Sequence, residues 1–262
     1  MSTMQHDDVR QLVRQRYGSI AETRGANAGC CGPETEALDD KAHAYGYSAR
    51  DTEAVPDGAN LGLGCGNPIA IASLQPGQTV LDLGSGAGFD CFLAAQAVGP
   101  SGHVIGVDMT HEMLRKARDN AAQGGFLNVE FRLGEIEHLP LADQSVDVII
   151  SNCVINLSPE KLKVYHDAFR VLRPGGRIAV SDVVATAVVP EEFKNDPELL
   201  SCCVAGASRI DEVEAMLREV GFTDIRIQPK DESKTFMREW VPGSNITDYL
   251  VSASMEAVKP IS

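Results

Sequence analysis

Between Gln75 and Val184 the chain repeats one arrangement: a short apolar run bounded by turn residues, then a longer stretch with apolar positions at helical spacing. QPGQTVLDLG predicts a turn and a buried strand, FDCFLAAQAVG a helix, GHVIGVDM a second strand, and HEMLRKARDNAAQGG a helix closed by glycines. VEFRLGE and SVDVIISNCV read as strands, PEKLKVYHDAFRVL as a helix, RPGG as a turn and RIAVSDVV as another strand. Strands alternating with helices of this length imply a doubly wound, mostly parallel α/β sheet with right-handed crossovers. The helix DEVEAMLREVGF, the strand DIRIQPK and a last strand near DYLVSASMEAV complete it.

Two regions break the rhythm. Residues 7–17 form an amphipathic helix, with Val9, Leu12, Val13 and Arg16 at helical spacing. The stretch from Gly18 to Gly66 then holds few large apolar residues, which predicts a segment covering a core made elsewhere. Residues 185–208 are irregular and predict an insertion over the carboxyl edge of the sheet. The chain thus divides into an N-terminal helix and covering segment (1–73), an α/β core (74–184), and the insertion with the last helix and strands (185–262).

Composition narrows the function. A net charge of −14 in 262 residues, without a basic patch, argues against a nucleic-acid substrate. The N-terminus lacks the apolar run of a secretion signal, and no stretch approaches the ~18 apolar residues that would span a bilayer, so the expected location is the cytoplasm and no membrane partner is expected. There, the seven cysteines are not a structural disulfide framework.

The glycine turn in VLDLGSGAGFD follows a buried strand and opens a helix. Gly84, Gly86 and Gly88 leave out side chains where a ligand can touch the backbone. The spacing is G-x-G-x-G rather than the G-x-G-x-x-G that seats a pyrophosphate, which argues against a dehydrogenase. The next strand ends in Asp108, where a carboxylate can accept both ribose hydroxyls. Together with Asp82 and the turn LRPGG, these features resemble the S-adenosylmethionine methyltransferases over roughly residues 75–184. The resemblance implies a Rossmann-like class I methyltransferase fold. It also implies a cofactor site of Asp82, Gly84, Ser85, Gly86, Gly88, Asp108, Met109, Ile136, Glu137 and Asn152, in which the glycine loop lies on the methionine part, Asp108 holds the ribose and GEIEHLP meets the adenine.

The acceptor is read from the cysteines. Cys153 directly follows a buried strand, at the carboxyl edge where open α/β sheets bind ligands. Cys65 lies in GLGCGNP, Cys30 and Cys31 in the covering segment, and Cys202 and Cys203 in the insertion. Flanking Gly, Asn and Pro suit flexible loops rather than packed interiors, whereas Cys91 sits inside a helix and belongs to the core. Zinc is disfavoured because there is no C-x-x-C pair and no histidine at a comparable interval. Soft thiolates from separate loops suit three-coordinate arsenic(III), whose lone pair can attack a methyl group if held in line with the departing sulfur.

YGSIAE with the following CCG, GLGCGNP, VLDLGSGAGFD, SNCVINLSP, CCVAGA and WVPG are together similar to the arsenite methyltransferases over nearly the whole chain. That resemblance implies that Cys153 and Cys203 hold arsenic throughout and that Cys65 is the third ligand. It further implies that Cys65 with Cys30 or Cys31 forms a disulfide after each transfer, and that glutathione or thioredoxin reduces it. Arsenite and methylated arsenicals are then substrates and products, and a monomer is expected. A methyltransferase for an organic acceptor, and a non-catalytic arsenic or metal sensor, are the alternatives.

Overall fold

The computed structural model describes residues 5–23, 38–194, 199 and 203–261. Seven strands form one sheet: β1 (Thr79–Leu83), β2 (His103–Asp108), β3 (Val129–Leu133), β4 (Val146–Asn152), β5 (Leu172–Ala185), β6 (Thr223–Lys230) and β7 (Leu250–Val258). Their order is β3-β2-β1-β4-β5-β7-β6, and β7 alone runs antiparallel to both neighbours. The predicted α/β, mostly parallel sheet is therefore present, with the class I methyltransferase strand order.

Helices cover both faces. In chain order they are α1 (His6–Glu22), α2 (Leu38–Ala44), α3 (Ala49–Glu53), α4 (Ile69–Ala72), α5 (Phe89–Val98), α6 (His111–Gly124), α7 (Lys161–Val171), α8 (Glu191–Lys194), α9 (Ile210–Val220) and α10 (Lys234–Met237). The strands at the centre are buried on both faces, so they read as continuous apolar runs: Val80, Leu81, Val148, Ile149 and Ile150 have no measurable exposure. One apolar cluster lies between the sheet and α7 and α9, another between the sheet and α5 and α6.

Three differences from the sequence reading have plain causes. The N-terminal helix runs to Glu22 rather than stopping at residue 17. The covering segment holds α2, α3 and α4, and α3 begins with a Ser48–Asp51 capping box that satisfies its first backbone donors. RPGG does not separate helix from strand: Leu172 already pairs with Val146, and Gly175 and Gly176 exchange backbone hydrogen bonds with Lys259, so β5 starts earlier, with a register shift.

This topology fixes where a ligand can bind. After β1 the chain winds outward through β2 and β3, then returns to place β4 on the other side of β1. At that switch point the loops following β1 and β4 diverge and leave a crevice at the carboxyl edge. Leu83 and Ser151 are register partners, so the glycine turn and Cys153 open onto the same crevice.

Candidate active site

The crevice is a cleft of about 1200 Å³, including its open mouth. Its sheet side carries Asp82, Gly84, Ser85, Gly86, Asp108, Met109, Ile136, Glu137, Asn152 and Cys153, and the opposite wall is supplied by α1 and the 42–64 segment. Of the sequence-predicted cofactor residues, only Gly88 is absent from this lining.

The glycines differ in what they do. A Cβ on Gly84 would stand 2.5 Å from Val154, and one on Gly88 2.8 Å from Phe92, so packing demands these two. Gly86 has φ +51° and nothing within 4 Å of an added Cβ: here the backbone is open to the cleft. Gly84 and Gly86 both line the cleft, and of the two Gly86 has the more open backbone. Ser85 is buried, lines the cleft, and its Oγ is a buried group without a hydrogen-bond partner among the described residues. Such an orphan calls for a polar ligand.

Asp108 is preset by its own backbone surroundings: Gly86 N–H donates to it at 2.9 Å and Thr110 N–H at 2.8 Å. Burial raises its pKa, and these donors oppose the shift. Glu137 accepts Ser158 Oγ–H at 2.6 Å and Arg10 at 3.2 Å. Arg10 was not anticipated, since a charged residue amid a helix reads as solvent-facing. It is buried and meets Glu160 at 2.7 Å as well, fixing α1 across the cleft so that Val13 and Tyr17 line it.

The thiols lie at the far side. Cys65, Cys153 and Asp182 place their ligand atoms within 4.8 Å of one another, and all three residues are buried. The Cys153 thiol hydrogen-bonds with those of both Cys203 and Cys65, and the Cys203 thiol also donates to the Cys153 carbonyl at 2.5 Å. The three predicted ligands are therefore neighbours. Asp182, which sequence reasoning missed, stands among them.

The expectation that these loops lie outside the packed interior is overturned for three of them: Cys65 and Cys203 are at most 1% exposed and Cys153 7%. Loops can be buried when their backbone groups find partners, and here they do. Cys65 N–H donates to Asn152 Oδ1 at 3.1 Å, its carbonyl accepts Ser252 Oγ–H at 2.7 Å, and Cys153 N–H donates to the Ser181 carbonyl at 2.8 Å. Lys161 Nζ donates to the Gly206 carbonyl at 2.5 Å and pins the segment that follows Cys203.

Cys153 and Cys203 both adopt left-handed backbone, at φ 58° and 61°. For residues other than glycine this costs about 1–2 kcal/mol each, and strain held in this way clusters at functional sites.

Burial pushes the Cys65 thiol up, as does its hydrogen bond to Cys153; for Cys153 the hydrogen bond with Cys203 is the chief cause, followed by burial. Asp182 is raised by burial to about 6, although Val183 N–H, Asn156 N–H and Asn156 Nδ2 all donate to it. Cys91, as expected, is a core residue, with its S–H on Asp82 at 3.2 Å. Cys30, Cys31 and Cys202 lie outside the described residues.

Comparisons with known proteins agree with this geometry. The family described as methyltransferase domain matches residues 74–221. An arsenite methyltransferase of Halobacterium salinarum is 56% identical over 97% of this chain and 67% of its own length. Another, from Aquipseudomonas alcaligenes, is 48% identical over 63% of this chain and 49% of its own. The chain thus spans about two thirds of the first relative's length and about half of the second's. A crystal structure of an arsenic(III) S-adenosylmethionine methyltransferase from Chlamydomonas reinhardtii superposes with a TM-score of 0.64 at 36% identity, covering 84% of this chain and 73% of that one. With the class I strand order, the open glycine turn and three neighbouring thiols at the switch point, the chain belongs to the arsenite methyltransferase family.

Proposed function

We propose that the protein transfers a methyl group from S-adenosylmethionine to thiol-bound arsenic(III), as part of arsenic detoxification. One observation carries this reading: Cys153 is at once a member of the buried thiol cluster and a lining residue of the cleft. The donor and acceptor halves of a transfer reaction meet at that residue.

The residues present fit the cofactor. Gly86 offers open backbone, the Ser85 hydroxyl lacks a partner among the described residues, and Asp108 is held by the two turns that flank the cleft. S-adenosylmethionine, when bound, supplies a methyl group activated by its sulfonium. Asp108 would hold the ribose, Ile136 and Glu137 the adenine end, and Gly84 to Gly86 with Asp82 and Asn152 the methionine end. The chain's part is positioning, and restricting bound groups to a reactive arrangement accounts for a large share of such a barrier.

Cys65, Cys153 and Cys203 are the arsenic ligands in this reading. Each As–S bond replaces an arsenic hydroxyl, the thiol proton leaving with it as water. Three thiolates leave arsenic(III) a lone pair, and Cys153, alone among them in lining the cleft, sets the side on which that pair meets the donor. Residues 1–73 act as the cover of a core spanning 74–184, and the segment after residue 185 supplies the last ligand. Methylation formally oxidises arsenic; Cys65 with Cys30 or Cys31 then gives up two electrons as a disulfide, and an external thiol, glutathione or thioredoxin, restores it by exchange. This chemistry requires a reducing compartment, the cytoplasm, and needs neither nucleic acid nor membrane; the protein works as a monomer. Among the described residues no helix is long and apolar enough to cross a membrane.

The test is methyl transfer from labelled cofactor to arsenite with a thiol reductant, for the parent and Cys153→Ser. Methylated arsenic from the parent, at least about 100-fold less from the variant (~2.7 kcal/mol) and unchanged cofactor binding are expected. Equal turnover by the variant would return the protein to an organic acceptor.

A further inference from the structure

Arsenic in the proposed seat uses three donors, but the structure gathers four. Cys65, Cys153 and Asp182 set their ligand atoms within 4.8 Å of one another, and the Cys203 thiol is hydrogen-bonded to that of Cys153. Donors about 2.3 Å from a tetrahedral ion stand ~3.8 Å apart, so closing the first three on one ion takes at most about 1 Å of movement. Asp182 is held in place for this: it is 1% exposed, its Oδ1 accepts Asn156 Nδ2 at 2.9 Å and Val183 N–H at 2.8 Å, and its Oδ2 accepts Asn156 N–H at 3.3 Å.

Three thiolates neutralise arsenic(III), and its lone pair takes the fourth position, so arsenic has no use for a carboxylate. A divalent ion of the zinc group differs on both counts: it takes four ligands in a tetrahedron and accepts sulfur and carboxylate oxygen together. Three thiolates and a carboxylate around it leave an excess of negative charge, which burial penalises. Lys161, at the start of α7, offsets that excess, because its ammonium attracts both Asp182 and Cys203. Leu157, Val183 and Leu250 pack around the thiols and keep competing water away. The sequence argues against zinc for want of a C-x-x-C pair, but that spacing rule detects ligands on one loop, and these four come from separate stretches that the sheet brings together.

We propose that Cys65, Cys153, Cys203 and Asp182 form a tetrahedral site for a divalent cation of the zinc group, with Asp182 the ligand that arsenic does not use, and that this cation and arsenite exclude each other. The mutual exclusion rests on the arsenic reading; the metal site does not. On binding, the cation sheds its water, the three thiol protons and any proton on the carboxyl leave to solvent, and three metal–sulfur bonds and one metal–oxygen bond form; no electrons move.

The experiment is anaerobic titration of the reduced full chain with cobalt(II), whose visible d–d bands are intense only in tetrahedral coordination, followed by displacement with zinc(II) or arsenite, for the parent and Asp182→Asn. The parent should develop the intense bands with a single equivalent and lose them to either competitor. Asp182→Asn should bind cobalt at least about 10-fold more weakly. Its uptake of arsenite, measured by equilibrium dialysis, should change by less than about 3-fold, which also reports that the variant is folded. X-ray absorption of the zinc-loaded parent should show three sulfur ligands and one oxygen.

The idea is overturned if the parent binds cobalt without the tetrahedral bands, if bound zinc has four sulfur ligands, or if Asp182→Asn binds cobalt as tightly as the parent. Bands that persist once arsenite is bound would overturn the shared seat. Loss of cobalt and arsenite alike by a variant with the parent's circular dichroism would mean that the carboxylate holds only the thiols, and would overturn it too. Should Asp182→Asn fail to fold, the sulfur and oxygen count of the zinc-loaded parent decides alone. A parent that gives the bands but takes up no arsenite would bring down the arsenic reading and leave the metal site standing.

Discussion

The cofactor end and the thiol end of the cleft adjoin, yet they are assembled in opposite ways. The residues proposed for the cofactor from Asp82 to Glu137 come from one stretch of chain crossing three neighbouring parallel strands, and they sit at the carboxyl ends of those strands or in the turns that follow. The thiol cluster draws Cys65, Cys153, Asp182 and Cys203 from four separate stretches. The first site follows directly from local strand-turn-helix geometry and is held by backbone donors. The second exists only once the sheet is complete. It carries two non-glycine residues in left-handed backbone, a cost that must be met by the rest of the fold. What the difference teaches is that the end proposed for the cofactor rests on the most ordinary part of the fold, whereas backbone strain gathers at the thiol end.

The sharpest break of that comparison is in the glycine turn. Gly84→Ala should destabilise the protein by about 3–4 kcal/mol, combining left-handed strain with the clash against Val154, measured by denaturant unfolding. Val154 immediately follows Cys153, so this change should also disturb the thiol end. Gly86→Ala, with nothing near the added methyl, should cost about 1 kcal/mol from strain alone and weaken cofactor binding without affecting arsenite binding. Equal costs for the two would mean that packing does not distinguish these glycines.

How much of each end was legible in the sequence follows the same division. The strand, the G-x-G-x-G turn and Asp108 are short-range signals, and the structure brings Asp82, Gly84, Gly86 and Asp108 to one cleft. Cys153 was legible because it ends a buried strand. Cys65 and Cys203 were assigned by resemblance alone, and their burial was misread because glycine-rich flanks resemble surface loops; only long-range donors such as Ser252 make burial tolerable. Asp182 within VSDVV carries no signal until β5 sits beside β4 and turns it toward the thiols. Arg10 reads as a surface charge. The missed helix α3 did have a signal, the Ser48–Asp51 capping box.

Asp182 allows the thiol end to be probed through pH. Its carboxyl titrates near 6 in the folded apoprotein, against an ordinary value of 3.8. Between these values the folded state holds a proton that the unfolded state has lost, so this group's contribution to stability falls as pH rises from 4 through 6 and is level above. Asp182→Asn removes that dependence. Relative to the parent, the variant should gain about 2–3 kcal/mol on going from pH 4 to pH 7, read as the difference between two denaturant series. A parallel pair of profiles would show that Asp182 is not the strained carboxyl.

The smallest effect concerns the wall that the two ends share. Arg10 joins α1 to Glu137, on the sheet side of the cleft, and to Glu160, at the start of α7, and so holds Val13 and Tyr17 over the cleft. Glu160 is 20% exposed, so much of that attraction is screened, whereas Glu137 is 4% exposed and loses a donor that water replaces poorly. Arg10→Met retains the aliphatic stem and removes only the ion pairs. The expected loss is about 1 kcal/mol of cofactor affinity, roughly 5-fold in Kd. Because the contact is electrostatic, raising the salt concentration should weaken cofactor binding by the parent more than by the variant. If α1 instead closes the cleft through Val13 and Tyr17 alone, the two proteins will bind the cofactor equally at every salt concentration, and the wall will belong to the apolar packing rather than to its charges.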